Sequence, residues 1–579
     1  MGRIYTNPDT PKVDIPQHDL LTFLFESEHG RLSTHHTPVY QDPTVHVDAL
    51  DPSNYLTRAS LLDTSKRIAG GLRRRYNVGA SGPGKDVVTV ISHGQILLPA
   101  AFFGVIIAGG IFAAVSPHSS VNDMARQITK SRSSLIISGP EFVDLSLKAA
   151  QQSGLSSDSV LVLDSAKPHS LSTINRGSNL IAEEEPLPWE HITDPDTLRT
   201  VPIVLLWSSG TSGLPKAVKV SHRNIVSEVF LTALAARAKA YKDILAGRAP
   251  APFRVLAHLS VSHVAGMIGC LVGPIYNAGI VFWLPKYKWS DVLESVPKYQ
   301  ITMFGSVPSV FLRIAKSPEV KDHFRSVVSA QSGSAPMDKD LQTSVSLRFG
   351  APGQVAVGQL WGLSETTGAV TLQSSERKDT DGSIGEILPG VEIRSVDDDL
   401  NDTKPGEPGE LLVRGPQVVE GYWEDPVATE ASFVTFPDDD GRPWLRTGDI
   451  AVYRNGFFHI VDRKKELLKY KGYQVAPAEL EGVLLTHPKV EEAVVIGVPG
   501  TQPLEVGSDL PRAYVVKKPG IELQEQEVRD FVAANCAPYK QLRGGVVFVD
   551  ELPKNVAGKY LRRELRELAR KEFAKSSKL

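Results

Sequence analysis

Short apolar runs recur along the first two thirds of the chain and alternate with stretches of helical spacing. The runs span residues 86–91, 134–138, 159–164, 202–207, 254–259, 280–284, 301–304, 326–330 and 354–359. Because both faces of a parallel sheet are covered by helices, this alternation predicts α/β layers with parallel-rich sheets. The 579 residues exceed one ordinary folding unit, so we expect a large domain and at least one smaller one.

One segment, residues 96–115, is uncharged over about the length that spans a bilayer. Pro99, Gly104 and the Gly109–Gly110 pair interrupt it, no basic cluster flanks it, and a predicted strand precedes it. We therefore expect a buried helix, a glycine turn and a strand ending at Pro117, and no transmembrane segment.

The balance of acidic and basic residues indicates which kinds of binding partner to expect. With 63 Lys and Arg against 66 Asp and Glu, the net charge of −3 gives no reason to expect nucleic acid or an anionic membrane. The two cysteines, Cys270 and Cys536, are too few for a disulfide framework or a cysteine-based zinc site, which is typical of a reducing compartment. The first residues contain no apolar segment of a secretory signal, so secretion is not expected.

The pattern changes after Pro389, where Gly- and Pro-rich turns separate short predicted strands. Asn455–Gly456 suits the type I′ turn of a hairpin, so we expect a small β-rich subdomain here. The densely basic segment DRKKELLKYKG follows, and after it a compact αβ unit. We place a hinge at residues 463–465, between a large domain over 1–462 and a small α+β domain over 466–579.

The segment SSGTSGLPK, residues 208–216, directly follows a predicted buried strand. Glycines let the backbone approach an anion closely, hydroxyl groups donate hydrogen bonds, and Lys216 supplies positive charge. These residues favour a phosphate-binding loop, although an ordinary surface loop has the same composition.

A second Gly-rich segment, residues 79–85, has the glycine and lysine spacing of a Walker A loop. Asp86 stands where a Ser or Thr would meet Mg²⁺, and a carboxylate there repels phosphate. We expect this segment to be a turn before a strand.

With several other motifs in the same order, the segment SSGTSGLPK resembles the adenylate-forming superfamily of acyl-CoA synthetases, peptide-synthetase adenylation domains and beetle luciferases. The resemblance covers nearly the whole chain. The branch of 4-coumarate-CoA ligases and fatty-acyl ligases is most similar, because KYKGYQVAPAELE at residues 469–481 is similar to its signature. The resemblance implies an ATP-dependent acyl-CoA ligase that joins a carboxylic acid to AMP and then transfers the acyl group to coenzyme A.

The resemblance also implies where ATP binds. The Gly-rich loop would hold the β- and γ-phosphates, and Trp361 would lie against adenine, although core packing would explain Trp361 equally. Ser364 would lie near the α-phosphate, while Asp449 and Arg463 would contact the ribose. The implied ATP and AMP contacts are Ser208, Ser209, Gly210, Thr211, Ser212, Gly213, Lys216, Gly333, Ser334, Gln359, Leu360, Trp361, Gly362, Ser364, Asp449, Arg463 and Lys559.

Glu365 matches a Mg²⁺ ligand of the superfamily. A hard carboxylate oxygen is what Mg²⁺ on a triphosphate requires. A solvent-exposed helix start would explain this glutamate as well.

The acyl pocket is implied by SHVAG at residues 262–266 and by the loop at 332–334. The implied substrate contacts are His263, Gly266, Ser332, Gly333 and Trp361, and His263 is also assigned to catalysis. Taken alone, His263 is better explained as a hydrogen-bonded core histidine than as a functional group, and its place in the order of motifs favours the functional role. Residues 259–272 and 355–363 contain no Lys, Arg, Asp or Glu, so we expect an apolar or aromatic acid.

The small domain supplies two lysines that resemble alternating catalytic groups. Lys559 matches the lysine that bridges the carboxylate and the α-phosphate, where a cation offsets the charge of an in-line displacement. Without the motif, a solvated lysine would explain it. Lys469 and Gly472 resemble the thioester-forming face, with Lys471 and Gly472 as implied CoA contacts. Lys465 matches the hinge about which the small domain turns.

Three alternatives remain open. Adenylation could serve a carrier-protein thiol or a luciferase-like oxidation, or the fold could belong to a noncatalytic acyl- or nucleotide-binding protein. The cosubstrates and cofactor implied by the preferred function are ATP, coenzyme A and Mg²⁺. The chain ends in Ser577, Lys578 and Leu579, which match the peroxisomal address read by an import receptor. We therefore expect that receptor as a partner and a peroxisomal location, with a cytoplasmic one as the alternative.

Overall fold

The computed structural model describes residues 3–8, 13–32, 42–175, 177–208, 215–351, 353–378, 380–437, 439–464, 466–470, 473–499, 508–554 and 560–576. In chain order the strands before residue 464 are β1 (Thr44–Asp48), β2 (Tyr55–Thr57), β3 (Val87–Ile91), β4 (Ile111–Ala114), β5 (Leu135–Ser138), β6 (Val160–Asp164), β7 (Ser170–Thr173), β8 (Pro202–Ser208), β9 (Lys216–Ser221), β10 (Arg254–Ala257), β11 (Ile280–Trp283), β12 (Met303–Ser306), β13 (Ser329–Ser332), β14 (Val357–Leu363), β15 (Gly368–Leu372), β16 (Glu386–Ile387), β17 (Glu392–Val396), β18 (Pro408–Arg414), β19 (Phe433–Val434), β20 (Trp444–Arg454) and β21 (Phe457–Arg463). The later strands are β22 (Leu468–Tyr470), β23 (Tyr473–Val475), β24 (Val490–Pro499), β25 (Asp509–Lys517) and β26 (Val546–Phe548).

The helices lie between and around these strands. In chain order they are α1 (Leu20–Phe25), α2 (Glu28–Leu32), α3 (Arg58–Tyr76), α4 (Leu98–Ile107), α5 (Val121–Ser131), α6 (Val143–Gln152), α7 (Leu180–Glu183), α8 (Pro195–Thr200), α9 (His222–Leu245), α10 (Val264–Gly266), α11 (Gly273–Tyr276), α12 (Trp289–Lys298), α13 (Pro308–Lys316), α14 (Lys339–Ser346), α15 (Pro426–Ser432), α16 (Pro477–Thr486), α17 (Glu525–Asn535) and α18 (Arg562–Ser576).

A seven-stranded sheet has the order β7-β6-β5-β3-β4-β8-β9. Its five inner strands are parallel, and β7 and β9 are antiparallel edges. The uncharged segment 96–115 forms the fully buried helix α4, a turn at Gly109 and the central strand β4, as expected except that the strand ends at Ala114. No helix in the described part of the chain is long and apolar enough to cross a membrane.

A nine-stranded sheet has the order β16-β15-β14-β13-β12-β10-β11-β1-β2, and β10 to β14 correspond to five expected runs. Three of the runs begin too early in the sequence prediction, since β12, β13 and β14 start at Met303, Ser329 and Val357. The reason is local: before β13 and β14, the Val327 and Gln354 N–H groups donate to Phe324 and Ala351 and close turns instead of joining the sheet.

A five-stranded sheet forms the expected β-rich subdomain, with β17-β18-β20-β19 in order and β21 paired to β20. The β20–β21 turn places Asn455 and Gly456 at φ 53° and 86°, as a type I′ turn requires. The hairpin register sets Asp449 directly opposite Arg463.

The Walker-like segment at residues 79–85 is a turn before β3, as expected. The Gly79 N–H donates to the Asp86 carboxylate at 2.8 Å, and Gly84 has a φ of 70°. The Asp86 carboxylate therefore closes the turn by binding one of its backbone N–H groups.

A separate small domain follows. Its β24-β25-β26 sheet and β22–β23 hairpin enclose a hydrophobic core with side chains of α16, α17 and α18. Its contacts with the large domain include a hydrogen bond from the Ala478 N–H to Asp462 at 3.2 Å and one from Lys316 to the start of β24. The architecture is the expected α/β large domain with a small α+β domain, while the hinge at 463–465 stays a prediction because Lys465 lies outside the described residues.

Candidate active site

The predicted phosphate loop connects two paired strands. Ser208 at the end of β8 lies opposite Lys216 at the start of β9, so the hairpin brings the two ends of the loop together. The Ser208 hydroxyl is buried and has no hydrogen-bond partner among the described residues. The loop itself, with Ser209, Gly210, Thr211, Ser212 and Gly213, lies outside the described residues.

Tyr422 joins the two charged residues predicted to face the triphosphate. Its hydroxyl donates to Oε1 of Glu365 at 2.9 Å, and the Lys216 ammonium lies 4.9 Å from the centre of its ring. Burial and the charge of Glu365 raise the pKa of Tyr422, so the phenol stays protonated as a donor. A cation and a carboxylate from distant parts of the sequence thus flank one aromatic ring.

The turn that carries Ser364 and Glu365 packs against β8 and β9, and β15, the strand that follows the turn, packs against α9. Oε1 of Glu228 accepts the Ala369 N–H at 2.7 Å, and its Oε2 has no partner among the described residues. Burial raises the pKa of Glu228 well above its ordinary value. A side chain at Gly368 would collide with this carboxyl group, since a Cβ there would lie 2.3 Å from Oε1.

Trp361 and Asp449 form a buried pair. The Trp361 Nε1–H donates to Oδ2 of Asp449 at 2.8 Å, while the Arg463 guanidinium lies 3.3 Å from Oδ1. Trp361 and Asp449 are 8% and 5% exposed, so the arginine, which is half-exposed, is the outer member of the group. A carboxylate accepts about four hydrogen bonds, so acceptor sites remain for ribose hydroxyls.

Gln359 fixes the loop that follows β13. Its side-chain oxygen accepts the Met337 N–H at 2.8 Å and its amide donates to the Met337 carbonyl at 3.0 Å. Within that loop, Ser334 has a φ of 76°, an uncommon conformation for a residue with a side chain. The structure therefore gives the Gln359 amide a positioning contact, whereas the sequence implied contact with the nucleotide.

A cavity of about 610 Å³ is lined by many residues of the predicted nucleotide site. The predicted residues on its walls are Ser334, Gln359, Leu360, Trp361, Gly362, Asp449 and Arg463. Tyr560 and Arg562 of the small domain line the same cavity. Its described lining does not include Ser208, Lys216, His263, Gly266, Ser332, Gly333, Ser364 or Glu365.

His263 begins the helical segment predicted to line the acyl pocket. Its Nδ1 accepts the Ala265 N–H at 3.3 Å, and residues Met267–Val272 continue as a π-helix. Gly266 is sterically required, because a Cβ there would lie 2.0 Å from the Ser260 carbonyl oxygen.

Ser332 and Gly333 lie at the end of β13. Ser332 is 1% exposed and its hydroxyl has no partner within the described part of the chain. A Cβ on Gly333 would lie 2.8 Å from the Leu360 side chain, so glycine permits this close packing.

In the small domain, Arg562 is clamped by Glu466 and Glu481. Burial alone would lower its pKa, but the two carboxylates raise it. Other small-domain predictions cannot be located: Lys465, Lys471, Gly472, Lys559, Ser577, Lys578 and Leu579 lie outside the described residues. Lys469 lies in β22, but its side chain is also outside the described part.

Sequence reasoning missed Tyr422 and Glu228. Tyr422 has little signal, because a tyrosine between Gly421 and Trp423 suggests only a turn. Glu228 has a clear signal in retrospect, because it is the single charged residue of the apolar helical run 225–236. A lone carboxylate in such a run indicates a buried acceptor.

Two family models match the chain. The AMP-binding enzyme model matches residues 34–423, and the model of the AMP-binding enzyme C-terminal domain matches residues 479–559.

Three curated relatives resemble it along most of their length. A putative acyl-coenzyme A synthetase of Emericella nidulans is 41% identical, covering 98% of each chain. The phenylacetyl-CoA ligase epaB of Aspergillus niger is 31% identical over 96% of this chain and 97% of its own. The peroxisomal OPC-8:0-CoA ligase 1 of Arabidopsis thaliana is 31% identical over 83% of this chain and 84% of its own.

Among solved structures, ATP-bound MatB from Rhodopseudomonas palustris superposes with a TM-score of 0.78 at 23% identity, covering 95% of this chain and 98% of that one. At this identity the similarity shows the fold.

Proposed function

The chain belongs to the AMP-binding enzyme family, in its acyl-CoA synthetase branch, and on that premise we propose that it activates an apolar or aromatic acid through the residues described above. It is an AMP-forming acid–CoA ligase. Carboxylate and ATP give acyl-AMP and pyrophosphate, and acyl-AMP and CoA then give acyl-CoA and AMP.

The cavity that joins Trp361 and Asp449 to Tyr560 and Arg562 carries the proposal. Trp361 packs against adenine and orients Asp449 toward the ribose. Tyr560, which directly follows Lys559 in the sequence, lies on the wall of the nucleotide cavity. In the first step a substrate carboxylate oxygen attacks the α-phosphorus, pyrophosphate leaves, and the Lys559 cation offsets the developing charge.

Magnesium fits the site as part of the nucleotide. Mg²⁺ on a triphosphate takes one or two carboxylates besides phosphate oxygens and water, and Glu365 offers one half-buried carboxylate oriented by Tyr422. No three His, Cys, Asp or Glu side chains of the described residues form a metal site of their own. The ion would neutralise phosphate charge, with Glu365 as its ligand from the chain.

The second step uses the other face of the small domain. The CoA thiol attacks the acyl carbonyl carbon and AMP leaves, with Lys469, Lys471 and Gly472 at the CoA passage. Because Lys559 and Lys469 cannot occupy one active site together, the small domain turns about Lys465 between steps. Lys465→Pro fixes the backbone φ, so pyrophosphate exchange should persist while conversion of supplied acyl-adenylate to acyl-CoA falls. Loss of both activities in a folded variant contradicts the alternation.

The acid itself is proposed to be apolar, with an aromatic acid as the favoured class. The uncharged segments 259–272 and 355–363 support an apolar acid. Open space lies beside Gly269 and Gly305, since a Cβ on either would meet no atom within 4 Å. The relative named as a phenylacetyl-CoA ligase supports an aromatic acid.

The test is a product assay with purified protein. We expect acid-dependent exchange of labelled pyrophosphate into ATP, and AMP with an acyl-CoA of the expected mass once CoA is added. The panel should pair arylacetic and cinnamic acids with straight-chain acids of equal carbon number and with dicarboxylic acids, which the uncharged segments should exclude. ADP as the nucleotide product, or no exchange with any acid, contradicts the proposal.

A peroxisomal location is also proposed. Where Ser577, Lys578 and Leu579 form the free C-terminus, the import receptor would read them, and one relative is named as peroxisomal. A fusion tagged at its N-terminus should give punctate fluorescence that becomes diffuse when the three residues are removed. Punctate fluorescence after truncation contradicts this signal.

A further inference from the structure

The residues on either side of the Lys559 loop are paired with each other, and we call this pair of flanking segments, 553–554 and 560–561, the stem of the loop. Residues 555–559 lie outside the described part, but Lys554 and Tyr560 on either side of them form an antiparallel β-bridge. The Leu561 N–H donates to the Pro553 carbonyl at 2.8 Å. The backbone therefore holds the two ends of the loop together.

One carboxylate, that of Glu492 on β24, binds both ends of this stem. The Lys554 ammonium donates to Oε1 of Glu492 at 2.6 Å, and the Tyr560 hydroxyl is hydrogen-bonded to the same carboxylate. The Lys554 ammonium also lies 5.3 Å from the centre of the Tyr560 ring. We call Lys554, Glu492 and Tyr560 the stem clamp.

The large domain holds the strand that carries the stem clamp. Lys316 ends α13, and its ammonium donates to the Val490 and Glu491 carbonyls at 3.3 Å each. Burial lowers the pKa of Lys316, and the nearby negative charge of Glu491 partly offsets this lowering. The first turn of α13, at Pro308, Ser309 and Leu312, lines the nucleotide cavity. A short physical connection thus runs from the cavity wall through Lys316 and β24 to the stem of the Lys559 loop.

We propose that Glu492 is a positioning residue for adenylation: it fixes the stem of the Lys559 loop, and Lys316 holds its strand against the large domain while the acyl-adenylate forms. The inference rests on the proposed function, which assigns Lys559 to adenylation. Lys316 belongs to the large domain and Glu492 to the small one, so this connection exists only in domain orientations that preserve the contact seen here.

Stability alone does not account for this arrangement. The side chains of Lys554 and Glu492 are 30% and 25% exposed, and partly exposed ion pairs contribute little to folding. Removing the pair should therefore leave the protein folded. Its effect should appear in the half-reaction that needs Lys559 in place.

The experiment compares Glu492→Ala, Glu492→Gln, Lys316→Met and Lys559→Ala in the full-length protein. Two rates are measured: acid-dependent exchange of pyrophosphate into ATP, and conversion of supplied acyl-adenylate to acyl-CoA. We expect Glu492→Ala to lower kcat of exchange about tenfold with KM for ATP nearly unchanged, because a misplaced cation weakens the transition state more than ground-state binding. Glu492→Gln, which keeps hydrogen bonds to the stem, should retain more activity, and Lys316→Met should lose about threefold. Thioester formation should be unchanged in all of these variants.

Glu527→Gln is the matched control, because Glu527 on α17 forms a comparable ion pair with Lys489, and neither residue belongs to the stem clamp. It should not affect either rate, and melting midpoints should show that every variant is folded. If Lys559→Ala slows neither half-reaction, the assignment of Lys559 in the proposed function is wrong and the inference fails with it. If Lys559→Ala slows exchange but the Glu492 variants do not, the inference is overturned while the function stands. Equal slowing of both half-reactions by Glu492→Ala also overturns it, since that result indicates a general structural role.

Discussion

The indole nitrogen of Trp361 donates a 2.8 Å hydrogen bond to Oδ2 of Asp449, although the two residues are 88 positions apart. The nine-stranded sheet supplies the tryptophan from β14, and the β-rich subdomain supplies the aspartate from β20. A buried carboxylate with a fixed donor on one oxygen presents its remaining lone pairs in fixed directions. This bond therefore links the orientation of Asp449, the proposed ribose acceptor, to Trp361, which we propose packs against adenine.

Trp361→Phe keeps an aromatic face and removes only the donor. A hydrogen bond to a charged group contributes about 1.5–3 kcal/mol, so we expect KM for ATP to rise about tenfold or more, with a smaller change in kcat. Initial rates at saturating acid and CoA measure this. Asp449→Asn is the companion variant and should be the more severe, since it also weakens the ribose acceptor. A Trp361→Phe enzyme with the wild-type KM for ATP shows that the bond does not orient the carboxylate for binding.

The Tyr422 hydroxyl holds Glu365, so the dependence on Mg²⁺ should respond to both residues. Glu365→Gln replaces the anionic ligand and should lower adenylation about a hundredfold at limiting Mg²⁺, with partial recovery at high Mg²⁺. Tyr422→Phe leaves the carboxylate and the ring beside Lys216 but removes the donor that orients Glu365, so it should raise the Mg²⁺ concentration for half-maximal rate about tenfold. Titration of exchange activity with Mg²⁺ at fixed ATP separates the two. Identical titration curves for wild type and Glu365→Gln would exclude Glu365 as a ligand.

Ser334 lies at the cavity with a φ of 76°, a conformation that costs a residue with a Cβ on the order of 1 kcal/mol. Ser334→Gly removes that cost and should leave the melting midpoint unchanged or slightly higher. A β-branched residue fits this conformation poorly, so Ser334→Val should lower the midpoint and raise KM for ATP. Differential scanning fluorimetry with and without ATP measures both effects. Equal behaviour of the two variants would show that the backbone conformation here has no bearing on the site.

The sequence predicted which apolar runs become strands, because apolar patterning is a local property. It did not predict the order of the strands in either large sheet. The hairpin at Asn455–Gly456 is a clear case, since two consecutive positive φ angles select that pair of residues. The starts of β13 and β14 were placed too early, because short turns at Phe324 and Ala351 take up the preceding backbone groups.

In the candidate site, too, local motifs could be predicted from the sequence and contacts between distant segments could not. The resemblance indicated Trp361, Asp449 and Glu365 by their motifs, but no motif indicated that the Tyr422 hydroxyl would bind Glu365. That contact depends on how a turn at 421–423 packs against another sheet, and the chain positions alone do not encode it. For Gln359 the motif implied nucleotide contact, which stays a prediction, and it did not indicate that the side-chain amide would bind the Met337 backbone.

The last prediction concerns Glu228, whose buried carboxyl group accepts the Ala369 N–H in β15, the strand after the turn with Ser364 and Glu365. Burial raises the pKa of this group in the folded protein above the ordinary value of 4.5. Above pH 4.5 the unfolded chain releases the proton while the folded protein retains it, so the free energy of unfolding falls by about 1.4 kcal/mol per pH unit until the folded pKa is reached.

Glu228→Gln cannot titrate and keeps an acceptor for the Ala369 N–H. The melting midpoint of Glu228→Gln relative to wild type should therefore increase as the pH rises above about 4.5, until the folded pKa of Glu228 is reached. Burying the new amide has a cost that does not depend on pH. This cost shifts the difference in melting midpoint but does not change how that difference varies with pH. Glu228→Ala, which loses the bond to Ala369 as well, should show the same slope with a lower midpoint and reduced exchange activity. A difference between Glu228→Gln and wild type that does not vary with pH would mean that Glu228 is ionised in the folded protein, with a counter-charge that stabilises it.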